Sequence, residues 1–391
     1  MSAVMQTYRP ADIAFERGEG MYLFDGSGRR YLDFNAGIAV SCLGHAHPRL
    51  VAALTEQANK VWHTTNLYTI PGQQRLADRY AAATFADKLF FTNSGAEAIE
   101  CAIKVARRYM GETGRPERFH IIGLHGAFHG RTLAAINAAG KGEGYGPPLP
   151  GFDSVAPGDL GALEAALTDE TAAIILEPVQ GEGGVVPLSE AYLQGVRALC
   201  DRHGLLLILD EVQCGMGRTG KLFAHEWAGI TPDIMAIAKG IGGGFPLGAC
   251  LATDEVAQVM TVGTHGSTYG GNPLAMAVGN AVLDEILAPG FLDRVQQMAE
   301  ALKSALEAFA KRNHNSVATV RGRGLMLGVK LREGLNNRDV IRHLLSEGLM
   351  LAPAGDNVLR FLPPLILEEA HIAEAMEILD RGLAKLADQA A

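Results

Sequence analysis

The stretch Asp233-Ile234-Met235-Ala236-Ile237-Ala238 runs directly into Lys239-Gly240-Ile241-Gly242-Gly243-Gly244. A short apolar run closed by glycines has the pattern of a strand buried on both faces. A lysine at its end does little for solubility, while the glycines let backbone or a ligand approach the amine. Desolvation there disfavours the ammonium form, and the free amine is a nucleophile able to condense with a carbonyl. One lysine of this kind is ordinarily a surface residue. Repetition gives this one its weight, because four other apolar runs end in polar clusters. Lys88–Thr92 leads to Asn93-Ser94-Gly95-Ala96-Glu97, and Phe119–Leu124 leads to His125-Gly126-Ala127-Phe128-His129-Gly130-Arg131. Ala172–Leu176 leads to Glu177-Pro178-Val179-Gln180-Gly181-Glu182, and Leu205–Leu209 leads to Asp210-Glu211-Val212-Gln213. Helix-patterned stretches separate several of these runs, which is the alternation of an α/β fold with a mostly parallel central sheet between helices. Ligands of such sheets bind beyond the carboxyl ends of the strands, where all five clusters lie.

Around this core the pattern changes. Residues 48–284 carry the alternation and read as a large domain. Beyond Gly290 come an amphipathic helix over Phe291–Arg312, several short apolar runs and a closing helix from Glu368 to about Ala387, which reads as a smaller α+β domain. Residues 14–34 alternate apolar runs with turn signals and predict a small antiparallel hairpin packed on that domain. The smaller domain is thus built from 1–47 and 285–391.

A chain of 391 residues, 48% hydrophobic and 20% charged, suits a soluble enzyme with a large core. Its net charge of −9 argues against nucleic acid or an anionic membrane as partner. No uncharged apolar stretch approaches a membrane span, and Met1–Pro10 lacks the layout of a secretory signal. Five scattered cysteines without a CxxC pair predict neither a disulfide framework nor a thiolate zinc site, so the expected compartment is the cytoplasm.

Each cluster supports definite chemistry. Ser94 can cap a helix whose first free N–H groups, at Gly95 and Ala96, suit a phosphate. Asp210, at the end of a buried strand, needs a cationic or N–H partner, either an arginine or the protonated nitrogen of a pyridine ring. Phe128 can stack on a flat ring and Arg131 can clamp a carboxylate. His125 and His129 have the spacing of two metal ligands on a helix, but the Glu of HExxH is missing and no metal site is expected. Gly215–Lys221 matches GxxxxGK, yet Leu222 stands where a nucleotide-binding loop needs Ser or Thr.

Taken together, these segments resemble the class III pyridoxal-phosphate aminotransferases over essentially the whole chain. Phe128–Arg131, Glu177–Gly184, Asp210–Gly220 and His265–Pro273 carry the resemblance, along with Gly37-Ile38-Ala39-Val40. It implies a fold-type I transferase that binds pyridoxal 5′-phosphate covalently at Lys239. By the same likeness Ser94, Gly95 and Ala96 cradle the phosphate, Phe128 stacks on the ring and Asp210 pairs with its nitrogen. Val212 and Gln213 lie beside the ring, and Thr268 reaches the phosphate of a neighbouring subunit, which implies a homodimer with shared sites. Arg131 and Ser267 match substrate-contacting positions, and Glu182 and Arg360 match a pair that opens and closes between two substrates. The activity implied is transfer of the side-chain amine of N2-acetylornithine to 2-oxoglutarate, a step of arginine synthesis. Ile38 stands where ornithine-specific relatives carry a tyrosine. It suits an acylated α-nitrogen, including succinylornithine or succinyldiaminopimelate, or a donor with no α-amine such as 4-aminobutyrate; ornithine itself remains open. The loop Gly140–Pro148 is short beside relatives and bears on pocket shape.

Overall fold

The strand before Lys239 lies in the middle of a seven-stranded sheet in the computed structural model, which describes residues 3–390. Residues 1, 2 and 391, which the sequence reading assigns to the smaller domain, lie outside the described residues. The strands are β1 (Lys88–Thr92), β2 (His120–Leu124), β3 (Phe152–Val155), β4 (Thr171–Leu176), β5 (Leu206–Asp210), β6 (Ile234–Ile237) and β7 (Gly248–Ala252). Their lateral order is β1-β7-β6-β5-β4-β2-β3. Only β7 runs against its neighbours; β6 to β3 pair in parallel, as expected of a mostly parallel sheet. Every residue of β4, β5 and β6 is buried, which explains their unbroken apolar sequence.

Two strands of this sheet escape the sequence reading. β3 is Phe-Asp-Ser-Val at the sheet edge, half polar because one side meets solvent, and β7 is mostly small residues that resemble loop. The helix Gly95–Glu112 packs on β6 and β7 through a stripe that includes Ile99, Ala102 and Ala106.

The helix predicted over Phe291–Arg312 spans those residues. After it, Val317–Arg323, Met326–Leu331, Val358–Phe361 and Ala352–Ala354 form an antiparallel sheet in that order, and the closing helix covers Glu369–Ala390. The amino-terminal hairpin proves to have three strands, Phe15–Glu19, Tyr22–Asp25 and Arg30–Asp33. Leu349–Met350 joins it in parallel beside Arg30–Asp33. The Phe34 N–H donates to the Met350 carbonyl at 3.0 Å, and the Leu362 N–H donates to the Phe34 carbonyl at 2.7 Å.

Directly after that strand, Ala36, Gly37, Ile38 and Ala39 all take positive φ, between 48° and 65°. A left-handed turn costs on the order of 1 kcal/mol per residue that carries a Cβ. Local bonds hold it: Asp33 accepts from the N–H groups of Asn35 and Ala36, each at 2.8 Å, and Asn35 accepts from Ile38 at 2.9 Å.

The GxxxxGK segment is not a nucleotide loop. Arg218 is buried and donates to the carbonyls of Leu325 and Pro363, and the Lys221 amine donates to the Glu226 carbonyl at 3.0 Å. Beyond Lys221 the chain makes a single 3-10 turn, Ala224–Trp227, rather than a helix with an open N-terminus. The segment is a buried strut between the central sheet and the carboxyl-terminal part.

Candidate active site

Beyond the carboxyl ends of β1, β2, β4, β5 and β6 lies a cavity of about 420 Å³, ample for a small cofactor. Nine of the predicted site residues line it: Ser94, Gly95, Ala96, Phe128, Arg131, Asp210, Val212, Gln213 and Lys239. Separations of more than a hundred residues along the chain therefore close into one site.

The wall over β1 is a helix start. Ser94 caps it, its hydroxyl accepting from the Glu97 N–H at 3.3 Å, and the N–H groups of Gly95 and Ala96 have no carbonyl within the helix to meet. A Cβ on Gly95 would sit 2.9 Å from a Val212 methyl, so only glycine lets this turn approach the loop after β5. The result is a cradle of free donors aimed at the cavity, at the positive end of an 18-residue helix.

On the opposite wall, the sequence reading left two partners open for Asp210, and the structure supplies a third. One carboxylate oxygen accepts from the Val212 N–H at 3.0 Å, and the other lies 2.8 Å from Nδ1 of His129. The imidazole is buried; burial alone would lower its pKa, but the hydrogen bond and charge of Asp210, with the charge of Glu177, hold it above the ordinary value. Its Nε2 has no partner among the described residues. His125 faces elsewhere, its Nδ1 3.1 Å from the Ser154 hydroxyl, so the two histidines do not converge.

Sequence reasoning missed Glu177. Its carboxylate accepts from the N–H groups of Phe128 (3.0 Å) and Gly181 (3.2 Å) beneath the cavity. Burial pushes its pKa up to about 7, with the charge of Asp210 adding and His129 opposing. The acid at the end of β4 was visible, but nothing local signals that it shares a buried network with Asp210.

Lys239 starts a 3-10 turn after β6 with φ of 52°, a strained setting for a residue with a Cβ. Its amine has no hydrogen-bond partner among the described residues. Its pKa is lowered, first by burial and then by the Arg360 guanidinium, against the pull of Asp210, Glu177 and Glu182. The amine is thus poised toward its neutral, nucleophilic form.

Four predicted residues stand outside the cavity lining. Arg360, 1% exposed, pairs with Glu182 at 2.7 Å, and its guanidinium also donates to Gln213 at 3.0 Å, which places the pair just behind the wall. Ser267 is bonded to Asn93, a lining residue, at 3.4 Å. Thr268 is exposed and is not part of the cavity lining. Within the lining, the Arg131 guanidinium lies over the Phe128 ring at 5.4 Å. Val40, which ends the left-handed turn, also lines the cavity, whereas Ile38 does not and is 37% exposed.

The donor set suits pyridoxal phosphate: an unpartnered amine, a glycine-shaped anion cradle, a flat aromatic wall and a buried carboxylate face one another. Comparison with known proteins agrees. Residues 3–383 match the class III aminotransferase family, and the chain belongs to that family. It is 60% identical to an acetylornithine aminotransferase of Mesorhizobium japonicum, across 99% of this chain and 97% of that one. Among solved structures, an N-acetylornithine aminotransferase of Stenotrophomonas maltophilia is 39% identical with a TM-score of 0.86, covering 97% of this chain and 98% of that one. An ornithine aminotransferase of Toxoplasma gondii is 32% identical with a TM-score of 0.93, covering 99% and 94%.

Proposed function

We propose that the protein transfers the side-chain amino group of N2-acetyl-L-ornithine to 2-oxoglutarate, giving N-acetyl-L-glutamate 5-semialdehyde and L-glutamate, with pyridoxal 5′-phosphate bound at Lys239. The observation that carries this reading is the 2.7 Å pair of Glu182 with buried Arg360, set behind a cavity already furnished with Lys239 and Asp210. A site that must take first an amine and then a dicarboxylate needs an arginine that can be masked and unmasked. The likeness to acetylornithine aminotransferases supports the choice of donor.

The cofactor supplies an electron sink for the substrate carbon that loses its proton. Ser94 and the N–H groups of Gly95 and Ala96 would hold its phosphate, with Phe128 against one ring face and Val212 and Gln213 beside it. Asp210, held in place by the Val212 N–H and His129, would face the ring nitrogen and favour its protonated form. Lys239 Nζ, as the free amine, takes the proton from the amine-bearing carbon and later delivers it. Arg131 and Ser267 orient the donor's carboxylate and acyl ends. Arg360, released from Glu182, binds the α-carboxylate of the keto acid.

The same reading makes residues 48–284 the cofactor-binding domain and 1–47 with 285–391 the smaller one. It also makes the molecule a cytoplasmic homodimer in which Thr268 reaches the site of a second copy. Trp62, Leu67, Tyr68 and Tyr269 support this, being large side chains 62–87% exposed. They cluster where Asn66 bonds the Ser267 carbonyl at 3.0 Å and the His63 and Tyr269 rings lie 4.9 Å apart. Among the described residues no single helix is long and apolar enough to cross a membrane.

The test is a half-reaction of cofactor-loaded protein with N-acetylornithine, ornithine or 4-aminobutyrate and no keto acid, followed by cofactor absorbance. N-acetylornithine should react at least about ten-fold faster, the scale on which a well-fitted pocket discriminates. Preference for either other amine would overturn the substrate while leaving the family intact.

A further inference from the structure

A second cavity, also about 420 Å³, opens between the helix Gly95–Glu112 and strands β1 and β7. Two of the five cysteines line it, Cys101 from the helix and Cys250 from β7, where Cys250 pairs with Phe90 of β1. The helix packs directly on β7, so the two thiols meet this cavity from adjoining elements. His265 also lines the cavity, its Nδ1 lying 2.8 Å from the amine of Lys104, three residues beyond Cys101 on the helix. Its ring rests on Phe90 with centroids 4.6 Å apart.

The other three cysteines are structural by comparison. Cys42 donates to the Gly240 carbonyl at 3.2 Å, and Cys214 lies 3.7 Å from the Asp210 carbonyl. Burial pushes Cys42 and Cys200 up to about 12. Cys101 moves the other way, to about 6: the influence of the Cys250 thiol is the largest cause, and His265 and Lys104 help it outweigh burial. No group of three His, Cys, Asp or Glu among the described residues is placed to hold a metal, so the chemistry of this site is that of a thiol pair.

We propose that Cys101 and Cys250 are a reversible redox pair, oxidised by hydrogen peroxide in the cavity they line, and that their disulfide shifts the segment from His265 to Thr268. The Cys101 sulfur attacks one peroxide oxygen, the O–O bond breaks, and the leaving oxygen departs with a proton as water or hydroxide. The Cys250 sulfur then attacks the sulfenic sulfur and expels water. Two thiols lose two electrons and the peroxide becomes two waters. Disulfide formation moves Cys101 within the cavity wall that it shares with His265. Two residues further on, Ser267 is bonded to Asn93, which lines the Lys239 cavity, so a local sulfur event has a path to the site.

The test exposes the intact protein to graded hydrogen peroxide and reads its cysteine peptides by mass spectrometry without reduction. A Cys101–Cys250 linked peptide should form while Cys42, Cys200 and Cys214 stay reduced, and dithiothreitol should reverse it. In Cys250→Ser, Cys101 should stop at a sulfenic acid that dimedone traps. Amide exchange over residues 263–268 should differ at least about three-fold between reduced and oxidised wild type. Absence of the linked peptide, or equal oxidation of all five cysteines, overturns the pair. A linked peptide with unchanged exchange overturns the coupling. None of these readouts requires transaminase activity, so failure here is separable from failure of the proposed reaction.

Discussion

Replacing Glu177 by Gln should change stability by an amount that depends on pH. In the folded protein the Glu177 carboxyl titrates at about 7, against 4.5 for an ordinary glutamate. The fold therefore binds a proton that the unfolded chain has released, and stability falls as pH rises through this window. A shift of this size corresponds to roughly 3 kcal/mol in all, of which about 2–3 kcal/mol is lost between pH 5 and pH 8. Glutamine does not titrate, so its variant escapes that loss. It has one acceptor oxygen for two N–H groups, Phe128 and Gly181, and forfeits one hydrogen bond at a cost of about 1 kcal/mol at any pH. Glu177→Gln should therefore be no more stable than wild type at pH 5 and more stable by roughly 1–2 kcal/mol at pH 8. Urea unfolding at both pH values, at one protein concentration and without added ligand, measures the difference. A stability difference that stays constant from pH 5 to pH 8 would refute the account of Glu177 as a buried acid that keeps its proton.

Other outcomes are expected of the same network. Glu182→Gln unmasks Arg360, so the KM for 2-oxoglutarate should fall while kcat/KM for the amino donor drops, each by roughly ten-fold; parallel changes for both substrates would contradict the masking role. Covalent capture of pyridoxal phosphate by cofactor-free protein should rise with pH about a midpoint below the ordinary lysine value of 10.5, because burial and the Arg360 charge favour the neutral amine. Arg360→Met should move that midpoint upward, and Lys239→Ala should capture none while keeping its circular dichroism; capture by the alanine variant would place the covalent bond elsewhere.

Much of the site was legible because its parts are local. A buried strand that ends in a charged residue is unmistakable at β5 and β6, and Ser94-Gly95-Ala96 announces a helix start by composition alone. What stayed hidden depends on distance. His129 and Asp210 are 81 positions apart, and neither carries a mark of the other. The antiparallel β7 was missed because its small residues answer to the helix packed over it rather than to any alternation of their own. Ser267 and Thr268 were singled out by resemblance only, and their loop lies outside the cavity lining.

The pairing of Arg30–Asp33 with Leu349–Met350 has a consequence for how the molecule is made. A strand near the start of the chain waits for a partner synthesised more than three hundred residues later. At about 5–20 residues per second the wait is roughly a quarter-minute to a minute, during which the edge of Arg30–Asp33 is bare. The strand Val358–Phe361, a few residues later in the chain, carries Arg360. The arginine proposed to bind the second substrate thus arrives among the last parts of the chain, when the cavity around Lys239 has all of its own strands. During synthesis, the pocket that holds the cofactor can form well before the enzyme can finish a catalytic cycle.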